Sequence, residues 1–185
     1  GITEVEKRAV YESARAAGGR EVYLLSEPLA AALGAGLPVM DPTGSMIIDI
    51  GGGTTEIAVI SMGAIVKATS LKVAGDQMDT AIVAHLKDAH GMIIGEKTAE
   101  HIKREIGCAI PHEKPITATI KGRDIATGVP KQISISSVEI GQALAAPIRQ
   151  ILQSIQRIMA ATPPELSGDL HTRGIVLCGG GSLLY

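Results

Sequence analysis

The chain has 185 residues and a formal net charge of -2 at pH 7. That length is enough for one ordinary domain or two small lobes, and the charge lacks the basic excess on which nucleic-acid binding draws, so no nucleic acid is expected as a partner. With no Phe, no Trp and three Tyr, aromatic base stacking is excluded as a binding device and the core must be aliphatic.

Two cysteines, Cys108 and Cys178, make neither a zinc pattern nor a disulfide framework and are expected to be small buried residues in a reducing compartment. His85, His90, His101, His112 and His171 lack metal spacing and read as surface or structural residues. No apolar run approaches the roughly 20 residues that cross a bilayer, and no stretch reads as a signal peptide. A start without Met and a stop just after a glycine-rich turn are expected of a fragment.

Taken in order, Thr3-Glu4-Val5-Glu6 is a capping-box pattern that opens a helix running to Gly18-Gly19, with Val10, Ala14 and Ala17 on one face. Glu21 to Leu25 reads as a short strand, and Pro28 suits the first turn of a small-residue helix, Leu29 to Gly36, able to lie close against a sheet. The stretch Met46 to Ile60 places an acid, three glycines and two threonines between two β-branched runs, which predicts two buried strands joined by a tight hairpin. Ala64 to Leu71 adds a third strand and completes an antiparallel meander. Helices follow from Gly75-Asp76 to His90-Gly91, with Met78, Ile82, Val83 and Leu86 at helical spacing, and from Thr98-Ala99 to Ile106. Ile116 to Ile120 and Ile133 to Ile135 alternate as half-buried strands about a turn region holding Gly122 and Gly128. A second capping box at Ser136 to Glu139 starts the longest helix, to Ala161, kinked or divided at Pro147 and stopped by Thr162-Pro163-Pro164. Its apolar stripe is Ile140, Leu144, Ile148, Ile151, Leu152, Ile155 and Ile158. A last strand, Gly174 to Cys178, runs into a second glycine loop, Gly179-Gly180-Gly181-Ser182.

Glycines in succession give a wall without side chains, where several backbone N–H groups can approach an anion such as a phosphate. Asp49, at the end of its strand beside Gly51-Gly52-Gly53, would hold a hydrated magnesium ion, because magnesium binds through few carboxylates and keeps its waters. Both glycine loops follow apolar strands, so both can open on one edge of one sheet, where the ligands of open α/β sheets bind. The element order is therefore α/β with a small α+β insert, and two anion-friendly loops suggest a nucleotide.

Glu27-Pro28-Leu29-Ala30-Ala31-Ala32, then Asp49 to Glu56, then Gly179-Gly180-Gly181 resemble the actin-like ATPase (ribonuclease H-like) superfamily. Within it the segments Thr98 to Gly107, Gly122-Arg123-Asp124-Ile125 with Gly128-Val129-Pro130, and Pro163 to Leu166 followed by Arg173 to Leu177 look like the MreB family of bacterial actins. The resemblance covers nearly the whole chain. It implies an α/β sheet flanked by helices, with residues 1–38 ending a first lobe and supplying a hinge helix. Residues 39–75 and 137–185 would form the larger, nucleotide-binding subdomain of a second lobe, and 76–136 its small insert. It implies ATP and Mg2+ as ligands, with Asp49 holding the metal through water and Gly51, Gly52, Gly53 and Thr54 forming the β/γ-phosphate loop. Glu27 would position the attacking water, a sensible task for a carboxylate since phosphoryl transfer needs positioning more than strong base chemistry. Gly75, Glu100 and Lys103 match positions around the ribose and adenine, and Gly179, Gly180, Gly181 and Ser182 the loop under the adenosine. On residue chemistry alone, Glu27 can favour its helix N-terminus, Glu100 and Lys103 can be a solvated surface pair, and Ser26 and Ser182 read as helix caps.

The resemblance further implies slow ATP hydrolysis, self-association into filaments, and a cytoplasmic, membrane-associated role with cell-shape and cell-wall elongation proteins. The membrane-binding segment, the first phosphate loop and most of the first lobe match nothing here, so about half of a cleft is expected. Ala74-Gly75 stands where the family usually carries Gly-Gly. A chaperone-type ATPase switch of the same fold, which does not polymerise, shares the Glu27–Ala32 and glycine-loop patterns but fits Thr98 to Gly107 poorly.

Overall fold

The computed structural model describes residues 3–185. Along the chain it forms α1 (Glu4–Ala16), α2 (Glu27–Gly34), β1 (Ser45–Ile50), β2 (Thr55–Ser61), β3 (Ala64–Leu71), α3 (Gly75–His90), β4 (Met92–Ile93) and α4 (Glu96–Ile106). Then come β5 (Thr117–Asp124), β6 (Pro130–Ser136), α5 (Ser137–Ala161), α6 (Pro164–Arg173), β7 (Ile175–Cys178) and a 3-10 turn at Gly180–Leu183.

Alternation of side chains builds the larger sheet. Met46, Ile48, Ile57 and Val59 share one face of β1 and β2 and meet Ile158 of α5 and Leu170 of α6. Ile47, Ala58 and Ile60 share the other face and meet Ala32 of α2 and Val39. Burying each such Ile is worth about 1.5–3 kcal/mol, so both faces of the central hairpin are held. The strand order is β3-β2-β1-β7. β1 pairs antiparallel with β2, from Ser45↔Ile60 to Ile50↔Thr55, and parallel with β7, where Asp49 lies opposite Cys178. The expected meander is present, and the parallel β1–β7 pair brings both glycine loops to the same sheet edge.

The second sheet, β4-β5-β6, is antiparallel. Its core joins Ile120 and Ile135 to Met78, Ile82 and Leu86 of α3 and to Ala99, Ile102 and Ile106 of α4. Ile140, Leu144 and Ile151 of α5 enter this core, whereas Ile158 enters the core under the larger sheet. One helix thus fixes one sheet relative to the other.

Several expectations are corrected. Residues 21–25 form no strand; Tyr23, Leu24 and Leu25 are exposed, and a strand without a ladder partner leaves its backbone groups unpaired. α1 has its capping box, with Thr3 and Glu6 bonded reciprocally, but none of its residues is buried, Val10 included. α2 ends at Gly34 rather than Gly36, and α4 starts at Glu96 behind Gly95 rather than at Thr98. Gly122 lies inside β5, where it closes against β4: a Cβ there would meet the Ile93 carbonyl oxygen at 2.6 Å. α5 is one continuous helix with Pro147 buried inside it, and Leu152 is exposed rather than part of its stripe. Ser136 caps α5 by accepting from the Glu139 amide, but the Glu139 carboxylate turns to His85 and His90 instead of closing the box. α6 was not expected; Pro163-Pro164 stops α5 and Pro164 then opens a new helix. Of the two cysteines, Cys108 is buried and Cys178 only half-buried.

Candidate functional site

The hairpin between β1 and β2 is closed by the Gly51 amide donating to the Thr54 carbonyl at 2.9 Å. The first turn of α3 is docked on it: the Gly75 amide donates to the Gly51 carbonyl (3.1 Å) and the Asp76 amide to the Gly52 carbonyl (2.8 Å). Close approach explains Gly75, since a Cβ there would lie 3.3 Å from the Gly51 carbonyl oxygen and 3.3 Å from Lys103 Nζ. Buried Thr55 ties the hairpin to the segment before α3 by donating its hydroxyl to the Val73 carbonyl at 2.7 Å.

The second loop is fitted to the first strand. Gly179 has φ +79°, and a Cβ on it would collide with the Asp49 carboxylate and the Ile50 backbone. Gly181 lies against the Ile50 side chain, while Gly180 faces open space. Ser182 sits inside the 3-10 turn and donates its hydroxyl to the Gly179 carbonyl at 2.7 Å, so it folds the loop rather than capping a helix. Burial and Asp49 together push the Cys178 thiol above its ordinary value, burial contributing most.

Lys103 reaches from α4 to the floor of this edge. Its Nζ donates to the Gly75 carbonyl (2.9 Å) and to Asp79 Oδ2 (2.9 Å). It lies equally near Oδ1, which is buried and has no hydrogen-bond partner among the described residues. Burial raises the Asp79 carboxyl above its usual value, with Lys103 opposing the shift. Lys103 therefore does not form the i, i+3 surface pair with Glu100; Glu100 pairs with Arg104 at 2.6 Å.

Between these elements lies a cavity of about 790 Å³, within the range of small-molecule and cofactor sites. Gly51, Gly52, Gly75, Glu100, Lys103, Gly180 and Gly181 line it, and so do residues that sequence reasoning missed: Asp76, Asp79, and the stacked rings of His112 and Tyr185, 3.9 Å apart. His112, expected to be surface or structural, is thus part of a cavity wall. The Asp76 carboxylate leans over the first glycine loop, 3.5 Å from where a Cβ of Gly52 would be. The two acids were detectable only as helix-spaced carboxylates following Gly75; nothing local in sequence ties them to a loop more than twenty residues earlier. Asp49, Gly53, Thr54, Gly179 and Ser182 do not line the cavity, although they belong to the two loops and the adjoining strand. Glu27 is not brought to this cavity; it is the exposed first residue of α2, after Ser26, which makes no side-chain cap bond.

Known proteins resemble this chain in sequence and backbone. The model of the MreB/Mbl protein family matches residues 1–185. The chain is 49% identical over 184 residues to the cell shape-determining protein MreB of Escherichia coli K12, covering 100% of this chain and 53% of that protein. It is 45% identical over 183 residues to the cell shape-determining protein Mbl of Bacillus subtilis 168, covering 99% of this chain and 55% of that protein. The crystal structure of MreB5 of Spiroplasma citri bound to AMPPNP superposes with a TM-score of 0.96 at 42% identity, over 100% of this chain and 55% of that one. The chain spans about half the length of the relatives it matches. Since family model, sequence identity and backbone agree from end to end, the chain belongs to the MreB/Mbl family and has its actin-like fold.

Proposed function

We propose that this chain supplies the second-lobe half of a nucleotide cleft in a filament-forming, cell shape-determining ATPase. The observation that carries the reading is the convergence of two side-chain-free loops, at the ends of the parallel strands β1 and β7, on one cavity walled by α3 and α4. MreB5, which has the same backbone, was solved bound to AMPPNP and to ADP. The larger subdomain would comprise residues 39–75 and 137–185 and the insert 76–136, with 1–38 ending the first lobe. This division is supported by the two separate sheets, with α5 packing into the cores of both.

In this reading Gly51, Gly52, Gly53 and Thr54 cradle the β/γ-phosphates, and Gly179 to Ser182 carry the adenosine. Gly75, Glu100 and Lys103 surround the ribose and base. The donor types suit a hard cation: Asp49 lies one residue before the end of β1 with its carboxylate packed against Gly179, and Asp76 adds a second carboxylate over the loop. Two acids beside a phosphate site repel bound polyphosphate, and a cation among them would relieve that repulsion. Magnesium would supply charge neutralisation, and Asp49 would hold it through water. Glu27 would position the attacking water once the rest of the protein closes over the cavity, since here it stands outside the wall. ATP would favour filaments and hydrolysis would weaken them, and the filaments would act at the cytoplasmic membrane face with cell-wall elongation proteins.

The test is sedimentation of the full-length protein with Mg2+ and ATP against a Glu27→Ala variant. The wild type should pellet and release phosphate; the variant should pellet and release little. ATP hydrolysis without any pelleting would remove the filament role.

A further inference from the structure

At the far end of α3 from the nucleotide cavity, three ligand-type side chains converge. His85 and His90 project from the last turns of α3, and Glu139 from the first turn of α5. The two Nε2 atoms lie 3.0 and 2.5 Å from the same oxygen, Glu139 Oε1, and all three ligand atoms fall within 4.8 Å of one another. The side chains keep 23–29% of their surface, so they are partly desolvated yet open to solvent on one side. From this geometry we propose that His85, His90 and Glu139 form a zinc site that clips α3 to α5.

Two imidazoles and one carboxylate suit a borderline cation such as Zn2+ rather than magnesium or calcium, which prefer oxygen alone. With metal–ligand bonds of about 2.0–2.2 Å, a tetrahedral ion holds neighbouring ligand atoms about 3.3 Å apart. The two nitrogen–oxygen separations, 3.0 and 2.5 Å, would open toward that value, within a cluster whose three ligand atoms already lie within 4.8 Å of one another. Three protein ligands leave a fourth position for water. Neutral imidazoles with an ionised Glu139 give the site a charge of -1. A neighbouring cation, Lys131, donates to the His90 carbonyl at 2.8 Å and is paired with Asp124 at 3.1 Å, so its charge is largely answered. Each Nε2 must give up its proton to bind metal, so zinc uptake releases protons unless the ring tautomers shift. The site belongs to a helix pair that joins the two cores, and zinc there makes that joint stiffer.

The experiment titrates zinc chloride into the full-length protein, without a polyhistidine tag, in excess Mg2+ and ADP to fill the nucleotide cleft. Calorimetry follows binding and circular dichroism follows folding. One zinc per chain is expected, with a higher melting temperature. His85→Ala and His90→Ala should each weaken binding by about tenfold or more. Glu139→Gln keeps the shape of the side chain and a hydrogen bond to either ring, and should lose zinc affinity while its circular dichroism stays that of the wild type. Zinc bound as tightly by the His85→Ala/His90→Ala double variant, or no stoichiometric zinc in the wild type, overturns the proposal.

Discussion

Gly179 shows how much a single Cβ can decide. Its φ of +79° is strained for any other residue, and the space where a side chain would begin is held by the Asp49 carboxylate and the Ile50 backbone. Gly180, next to it, faces open space. Gly179→Ala is therefore expected to cost about 1–3 kcal/mol of stability and to displace Asp49, whereas Gly180→Ala should change stability by less than about 0.5 kcal/mol. Thermal unfolding and nucleotide titration of both variants in the full-length protein decide it; equal effects would remove the close-approach account. Sequence made this distinction only in part. Three glycines in a row after an apolar strand announce a bare loop, but which one is pressed against Asp49 depends on the parallel pairing of β7 with β1. Asp76 and Asp79 were illegible for the same reason, because their chemistry arises when α3 docks on a loop distant in sequence. Lys103 was legible as a position but not as a bond, since its partner Asp79 lies on another helix.

Among the elements, the hairpin of β5 and β6 depends on one acid. Asp124 Oδ1 accepts from the amides of Ala126 (3.0 Å) and Thr127 (2.9 Å) and from the Thr127 hydroxyl (3.0 Å), and Oδ2 faces Lys131 at 3.1 Å. Those bonds, the Thr127 amide first, hold its carboxyl down to about 2 from an ordinary 3.8. A lowered carboxylate contributes stability above its unfolded value and loses that contribution as pH falls through its folded one. The hold on the turn is thus intact above 3.8 and released near 2. Carboxyl NMR of the protein should find Asp124 titrating close to 2, and Lys131→Ala should move that midpoint toward 3.8; an unmoved midpoint would mean the lysine plays no part. Elements were legible wherever local pattern and tertiary partner agreed. The β1–β2–β3 meander, α3 and α5 combine strong periodicity with buried neighbours. Glu21 to Leu25 had the composition of a strand but no edge to join, and α6 was hidden because its two prolines mark both a stop and a start.

For the whole molecule, the cavity proposed as a nucleotide site accompanies apolar residues left exposed. β7 is an edge strand, with Leu177 53% exposed, and Val5, Tyr23 and Leu24 lie exposed at the other end of the chain. Scattered exposed apolar residues are ordinary, but here they accompany a cavity whose walls come from α3, α4 and two loops, while Glu27 stands outside it. The relatives are about twice as long as this chain. In the proposed cleft, a polyphosphate bound to these walls alone would forgo the hydrogen bonds and charges that the proposed first lobe adds. The expected outcome is that the 185-residue chain binds Mg2+–ATP at least about 100-fold more weakly than the full-length protein, a difference of about 2.7 kcal/mol, with almost no hydrolysis. Calorimetry on the two proteins, with the chain first shown by circular dichroism to be folded, measures the gap directly. Equal affinity would mean that the two glycine loops, α3 and α4 form a complete site, and that the remainder of the protein serves closure and assembly rather than binding.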